Sequence, residues 1–491
     1  MKNSFRLSAA VAGAIMSFAF MAVSAPAQSS NQQSPLQLVT TYHLPGNIQG
    51  HFDHILVDVK SNRLFATPED FHAVLVLNAQ TGKLIHEIQG IEKPHAILFR
   101  PDLNLLYITD GEDGSVKVFD ATSYKLQHRI PLLKDADSIG YDPQTHYMYV
   151  DNGGGDVGQK YSMLSVIDTS KFVKIADIKV EGETLEAMAL DPNRPQLYVN
   201  NRDKNQVQVV NRYTRGLIAA WPITMGKTNV TMAYDVSHHR LFVGCRSGQL
   251  IVLDADSGKE LQALPIVKGV DDTAFDEASG RIYSAGDGAM SVYQEVDANH
   301  YKLLGNVSTG PLGKTARLVP EMDRMFIAVP QHGSTDPSIM VFKPVGAKTT
   351  AEAAPPAKLR TVSAPAAERL VMQTLTKYTC LNKLGIHAVP PGGGPSVVIA
   401  NGNLGKIGKE SSEKDFADIH SGATYCHPDE DGAFYDMKLN MFDASGRQIG
   451  MLVMEIPFNS VKDSADAIRL AENIRKEMAA QIPSLSSLFQ G

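Results

Sequence analysis

Between residues 52 and 343 one pattern of apolar and polar positions recurs seven times. An apolar strand ends at an Asp-like turn. A second strand of the type Leu-aromatic-aliphatic follows, then a loop, then a strand of the type Val-x-Val-apolar-Asp. The second-strand aromatics are Phe65, Tyr107, Tyr149, Tyr198, Phe242, Tyr283 and Phe326, spaced 42, 42, 49, 44, 41 and 43 residues apart. A fourth strand follows in the first six repeats, as at Leu84–Ile88 and Leu126–Ile130. Four short strands in a period of ~40–45 residues are the pattern of a β-propeller blade.

The seventh repeat stops after its third strand, where Pro344 and Gly346 intervene. The apolar segment from Leu38 to Gly46 reads as a strand without a blade. Lending it to the last blade removes the exposed edges at the seam. An open solenoid would leave both ends uncapped. The expectation is an all-β seven-bladed propeller over 36–347, its last blade closed by the N-terminal strand.

The pattern changes after 347. Residues 348–365 are rich in Ala and Pro and read as an extended linker. Residues 366–491 open with a helix over 366–383, with Val371, Leu375 and Tyr378 on one face. Strands are expected at Ile386–Val389, Ser396–Ala400, Thr424–Cys426, Ala433–Phe442 and Gln448–Pro457. A short helix is expected at Asp415–His420. A final helix over 462–481 would bury Ile468, Ala471, Ile474 and Met478. The order describes an α+β domain, with helices over an antiparallel sheet.

Aligning the first strands of the repeats brings out candidate chemistry. One register holds Asp53, His95, Asp137, Glu186, Val230, Asp271 and Thr315. The next holds His54, Ala96, Ser138, Ala187, Thr231, Asp272 and Ala316. First strands line the channel of a propeller, so these residues are expected to converge at one mouth. Crowded carboxylates need a cation, a proton or water beside them. Oxygen ligands suit a hard divalent metal such as Ca²⁺, and His54 and His95 admit a softer one. A hydrated polar channel is the plain alternative. Asp254-Ala-Asp256-Ser-Gly258 reads as a hairpin turn rather than a calcium loop, and His238-His239 as exposed turn residues.

Composition narrows the classes. The chain has 491 residues, a net charge of −7 and a 43% apolar fraction, an ordinary globular balance without the basic face of a nucleic-acid binder. Its three cysteines contain no CxxC pair. Cys380 and Cys426 are expected either to form one disulfide or to stay reduced and buried; Cys245 reads as a small apolar core residue. Lys2 and Arg6, the apolar run Leu7 to Val23 and Ala25-Pro26-Ala27 make residues 1–27 a secretory signal peptide. The expected compartment is the periplasm or the exterior, with no membrane insertion after signal cleavage.

Leu197-Tyr-Val-Asn-Asn201, Met148-Tyr-Val-Asp-Asn152 and Leu106-Tyr-Ile-Thr-Asp110 are similar to the YVTN-type propeller repeat. Phe52-Asp-His-Ile-Leu-Val-Asp58, Asp135-Ala-Asp137, Leu241-Phe-Val-Gly-Cys-Arg246 and Val319-Pro-Glu-Met-Asp-Arg324 resemble the YncE family of extracytoplasmic seven-bladed propellers. Ser396 to Lys409, with its Ile-Gly-Lys turn, and Asp443 to Leu452, with a D-x-x-G turn, resemble Cache/PAS-like extracytoplasmic sensor domains. The first resemblance implies the propeller fold. The Cache/PAS resemblance implies a small-molecule pocket between the sheet and its covering loops.

No G-x-S-x-G elbow, P-loop or H-E-x-x-H occurs. The leading expectation is a periplasmic or secreted non-catalytic binding protein. Its channel mouth takes a ligand, a metal or a protein partner, and its C-terminal domain a small molecule. The alternative is a metal-dependent hydrolase or lactonase, with Asp137 and Asp271 as ligands and Glu186 or His95 as base.

Overall fold

A four-stranded sheet has no interior of its own, so the aromatic at the centre of each second strand must be covered by a neighbouring sheet. The computed structural model describes residues 33–490, apart from 144, 193, 213–214, 347–361, 379, 382, 403–405, 413–414, 416–421, 423 and 430–433. The expected signal peptide, most of the expected linker and residues 416–420 of the expected short helix lie outside the described residues.

Strand β1 is Leu36–His43. The first repeat forms β2–β5, at Phe52–Asp58, Arg63–Pro68, Ala73–Asn78 and Leu84–Gln89. The second forms β6–β9, at Pro94–Arg100, Leu105–Asp110, Ser115–Asp120 and Leu126–Pro131. The third forms β10–β13, at Ile139–Asp142, Tyr147–Gly153, Tyr161–Asp168 and Val173–Glu181. The fourth forms β14–β17, at Leu185–Leu190, Gln196–Asn201, Gln206–Asn211 and Gly216–Pro222. The fifth forms β18–β21, at Asn229–Asp235, Arg240–Cys245, Gln249–Asp254 and Glu260–Pro265. The sixth forms β22–β25, at Asp272–Asp276, Arg281–Gly286, Ala289–Asp297 and His300–Ser308. The last has β26–β28, at Thr315–Val319, Arg324–Val329 and Ser338–Pro344. Each of the first six is one four-stranded antiparallel sheet in chain order, and the last is completed as β1-β28-β27-β26. This is a β-propeller architecture.

The aromatics explain the assembly. All seven are fully buried, each within an apolar cluster that bridges two sheets. Phe65 packs with Leu106 and Ile108 of the next sheet, and Tyr107 with Met148 and Val150. The series ends with Phe326, which packs against Leu64, Leu75 and Leu77 of the first repeat. Burying each such side chain is worth about 1.5–3 kcal/mol, and the gain exists only when the neighbouring sheet is in place.

Four of the five aspartates at the ends of the first strands are buried, and three of them meet an arginine. Asp58 meets Arg63 at 2.8 Å, Asp191 meets Arg194 at 2.6 Å, and Asp142 meets Arg212 at 2.6 Å. Arg212 reaches Asp142 from the following sheet, and both side chains are 2% exposed. At Asp254 the carboxylate caps its own hairpin, accepting from Ser257 N at 2.9 Å and Ser257 Oγ at 2.7 Å, as a turn aspartate does.

The C-terminal domain holds helix α1 at Pro365–Lys377 and helix α2 at Ser464–Ala479. Its strands are β29–β33, at Lys383–Ala388, Val397–Asn401, Tyr425–Pro428, Phe434–Phe442 and Gln448–Pro457. They form one sheet in the order β30-β29-β33-β32-β31, with every described pairing antiparallel. Leu384, Ile386, Leu439, Leu452 and Met454 share a core with Leu370 and Val371 of α1 and Ala471 and Ile474 of α2. Helix α1 ends earlier than its apolar pattern suggested, because Tyr378 leaves the helical region.

The expected disulfide is not formed: Cys380 and Cys426 are free thiols. Cys426 lies on β31 and Cys380 just ahead of β29, and β33 and β32 lie between those two strands. Strand spacing places β29 and β31 ~14 Å apart, twice the ~7 Å over which two Cα atoms can be bridged. Cys245 is fully buried, and burial pushes its thiol up to about 12.

Replacing Arg212 by Ala removes the guanidinium from the buried Asp142 carboxylate. The expected loss is about 3–5 kcal/mol of unfolding free energy, read from urea denaturation. A loss under ~1 kcal/mol would show that Asp142 is not held by this pair.

Candidate functional site

The inner strands β2, β6, β14 and β18 carry the same backbone irregularity. Their pairing to the second strand shifts register between Phe52 and Ile55, Pro94 and Ile97, Leu185 and Met188, and Asn229 and Thr231. Asp53, His95, Glu186 and Val230 fall inside these shifts. A bulge re-aims a side chain and frees a backbone N–H that needs a new acceptor. Thr67 Oγ1 accepts from His54 N and Thr109 Oγ1 from Ala96 N, both at 2.8 Å. These threonines stand two residues after the aromatic of their strand, the position Asp151 fills in the third repeat.

The structure brings Asp53, His54, His95 and Asp137 together. Asp53 Oδ2 accepts from His54 Nδ1 at 3.0 Å and from His95 Nδ1 at 2.9 Å. His95 Nδ1 lies 3.7 Å from Asp137 Oδ1. Asp53, His54 and Asp137 each offer a ligand atom, all within 4.8 Å of one another. His95 is buried with Nε2 unpartnered, packed against Gly111. A Cβ at residue 111 would come within 2.7 Å of Nε2, so the imidazole occupies the space that glycine leaves.

The other half of the ring is neutralised by the protein. Arg202 donates to Glu186. Asp271 is paired with Arg246 at 2.5 Å and Lys314 at 3.0 Å. Asp272 Oδ2 accepts from Ala316 N at 2.7 Å, tying the sixth sheet to the last. The role of Asp271 as an open ligand is therefore corrected: two cations occupy its oxygens. Arg202 and Arg246 each stand four residues after the aromatic of their strand, the position of Gly111. That register holds the missed signal.

The charges follow from this geometry. Burial opposes the charged form of His95, but Asp137 and Asp53 outweigh it and raise its pKa to about 10. Burial likewise opposes His54, which Asp53, Asp137 and Asp272 raise to about 9. Asp53 is held well below the carboxylate range by both imidazoles, against the pull of burial. Burial, Asp53 and Asp135 hold Asp137 above that range, against His95 and His54. Burial and Asp137 push Glu186 up to about 8 despite Arg202. Burial raises Asp272 to about 7. Asp151, 3% exposed with Oδ1 unpartnered, is raised well above the range by burial and by Asp137, Asp135 and Glu186.

Both imidazoles are thus protonated near neutral pH. A metal bound through them must first displace a proton, so the ring favours oxygen ligation at Asp53 and Asp137. Two surface hollows, of ≈380 Å³ near Asp58 and Arg63 and ≈480 Å³ near Tyr42 and Arg324, lie away from the ring residues.

A second polar group lies on the face of the C-terminal sheet turned from its helices. Lys438 Nζ meets Asp415 Oδ1 at 2.9 Å, and His387 Nδ1 lies 3.0 Å from Ser411 Oγ. Burial lowers the pKa of His387 to about 4, so this imidazole is neutral.

No protein-family model matches the chain, and no curated protein matches its sequence. A chain in a crystal structure of a mitotic checkpoint complex is similar over 68% of this chain and 99% of that one, with 13% identity and a TM-score of 0.53. A chain of Kuenenia stuttgartiensis hydrazine synthase is similar over 60% and 98%, with 16% identity and a TM-score of 0.49. The first likeness supports the propeller fold alone. No helix among the described residues is long and apolar enough to cross a membrane.

Histidines raised above their unfolded value of ~6.5 stabilise fully below that pH. Their contribution declines as pH rises and is gone above about 10, the folded value for His95. Asp53 contributes above its unfolded value of ~3.9 and loses its effect in stronger acid. The Asp53→Asn variant should lower both imidazole titrations by about one pH unit or more, seen by NMR. It should also flatten the fall in stability between pH ~6.5 and 10. Unchanged titrations would show that Asp53 does not hold the two rings.

Proposed function

We propose that the chain is a non-catalytic binding protein, a YncE-like seven-bladed propeller whose channel mouth holds a small cationic ligand or a hard divalent cation between Asp53 and Asp137. The observation that carries this is the asymmetry of the ring. Glu186 and Asp271 receive guanidinium or ammonium partners, whereas Asp137 meets only imidazoles, His95 at 3.7 Å and His54 within 4.8 Å. A carboxylate held above its usual range is stabilised by any added positive charge. The occupant would be met by carboxylate oxygens at the mouth and would face Glu186 and Asp272 further round. In this reading the C-terminal domain is Cache/PAS-like and takes a small molecule near His387, Lys438 and Asp415. The N-terminal signal sequence directs the protein to the periplasm or the exterior.

One observation favours a hydrolytic reading as an alternative. Glu186, raised to about 8, has the protonation behaviour of a general acid near neutral pH. With Asp271 neutralised, a metal in such an enzyme would rest on Asp53 and Asp137.

The test uses the full mature protein, purified without chelators and assayed for bound metal. Ca²⁺ and Mg²⁺ are then titrated while thermal stability is followed. A ligand at ~100 times its Kd stabilises by about 2.7 kcal/mol. That gain should vanish in Asp53→Asn/Asp137→Asn and persist in Glu186→Gln. A shift that survives the double substitution places the cation elsewhere. Turnover of lactone or ester substrates that is lost with EDTA and in Glu186→Gln would move the reading to the hydrolase.

The signal-sequence reading has its own check. Protein recovered from the periplasm should begin at Gln28, by N-terminal sequencing. An intact Met1 on the recovered protein would overturn it.

A further inference from the structure

The repeats allow one site to be compared position by position. In six repeats one residue near the end of the third strand, just beyond it in five and inside β24 in the sixth, donates its N–H to the carbonyl just before the second strand. These residues are Ala79, Ala121, Thr169, Arg212, Ala255 and Glu295. From this position a long side chain reaches the turn that ends the first strand of the preceding repeat. Thr169 Oγ1 receives Arg100 there at 2.5 Å, and Arg212 meets Asp142 at 2.6 Å. Glu295 is the third long or polar side chain in the series, and it reaches Asp235. A carboxylate therefore stands where the equivalent buried aspartate has a guanidinium.

The local geometry leaves a gap in charge. Asp235 is 1% exposed and uses Oδ1 to cap its turn, accepting from Ser237 N at 2.9 Å and His238 N at 3.2 Å. Its Oδ2 faces His238 Nδ1 at 2.7 Å. Glu295 Oε1 is buried and makes no hydrogen bond, with the side chain only 7% exposed and His238 Nδ1 3.4 Å away. Arg240 is close by, but its donors go to Ala298 O at 3.1 Å, Asp254 Oδ2 at 3.0 Å and His238 O at 3.0 Å. Burial and the adjoining Asp235 hold Glu295 above its ordinary carboxylate range. His238 itself is 45% exposed, so the group opens to solvent on one side.

We propose that Asp235, His238 and Glu295 form a binding site for a divalent transition metal of the Zn²⁺ or Mn²⁺ type. The three ligand atoms lie within 4.8 Å of one another. Ligand atoms at 2.0–2.2 Å from a tetrahedral metal stand about 3.4 Å apart, which is the Glu295–His238 separation already present. Asp235 Oδ2 and His238 Nδ1, 2.7 Å apart, open by about 0.7 Å once the proton between them is replaced. Two carboxylates and one imidazole suit Zn²⁺ or Mn²⁺ better than Ca²⁺, which takes oxygen ligands. Water entering from the His238 side completes the coordination. The bound metal would replace the guanidinium of the equivalent pair and staple the fifth sheet to the sixth. This site is separate from the channel-mouth reading and does not depend on it.

The experiment uses the full mature protein, stripped with EDTA and titrated with Zn²⁺, Mn²⁺ and Ca²⁺. Zn²⁺ or Mn²⁺ should bind at one per chain and raise Tm by about 2 °C or more, with no such rise from Ca²⁺ at this site. The decisive variant is Glu295→Arg, which rebuilds the arginine–aspartate pair seen at Arg212. It should fold, lose the metal and the Tm shift, and match or exceed the wild-type metal-free Tm. His238→Ala should weaken Zn²⁺ binding at least tenfold. His239→Ala, one residue away and facing Asp256 instead, should leave it intact, as should Asp53→Asn/Asp137→Asn. Zn²⁺ binding that persists in Glu295→Arg, or that is lost only in His239→Ala, would overturn the site as a surface-histidine contact. Failure of every metal to bind the wild type would overturn it outright.

Discussion

The pairing of β1 with β28 is the constraint on which the propeller depends. Residues 36–43 supply one strand of a sheet whose other three strands lie between 315 and 344. Without them β28 is an unpaired edge, and Leu36 no longer covers Met325 and Ile327. Every inter-sheet cluster needs both of its neighbours, so the series gains its full burial only when the last sheet meets the first through Phe326 and Leu64. Such non-local closure carries a loop-entropy cost before any contact compensates it. Once made, it fixes all the inner strands relative to one another. Thr315 Oγ1 bonds Phe52 O, and Thr109 Oγ1 bonds Asp137 O at 2.8 Å, so the site residues are held from neighbouring sheets.

The parts of the fold legible in the sequence were those set by a strict period. One aromatic per repeat, at Phe65, Tyr107 and their equivalents, marks the second strands, and the ring residues follow by counting back from the strand ends. The missing strand of the last repeat was also legible, because a sheet with three strands and a spare strand elsewhere has one economical solution. In the C-terminal domain the strand expected at Ala433–Phe442 corresponds to β32, while the order of strands in the sheet did not show. That order is what separates Cys380 from Cys426.

What was not legible lay in the partners. Counting along first strands brings carboxylates together but says nothing of counter-charges carried by the next strand. Arg202 reaches Glu186 within its own sheet, whereas Arg246 and Lys314 converge on Asp271 from the sheets on either side. The same position, four residues after the aromatic, is glycine at Gly111 because His95 needs the room. One register therefore holds a guanidinium where a carboxylate must be neutralised and a glycine where an imidazole must fit. Glu295 was hidden for the same reason: His238 stands in an exposed turn, as expected, and only the fold brings Glu295, 57 positions along the chain, beside it.

A repeat protein thus offers an internal control for functional reasoning. In a single-copy fold a buried Asp–Glu contact has no reference state. Here the matching position shows what the fold does when it neutralises such an aspartate with its own side chains. Arg212 and Asp142 together are a completed pair, 2% exposed on both sides. Glu295 and Asp235 keep the backbone and reverse one charge, and the imidazole between them is in place to give up its proton. The channel ring has the same logic on a larger scale: Glu186 and Asp271 are met by guanidinium or ammonium groups, and Asp137 by imidazoles alone. In both places the departure from a neutralised equivalent, rather than the abundance of acid, singles out where an external cation would be bound.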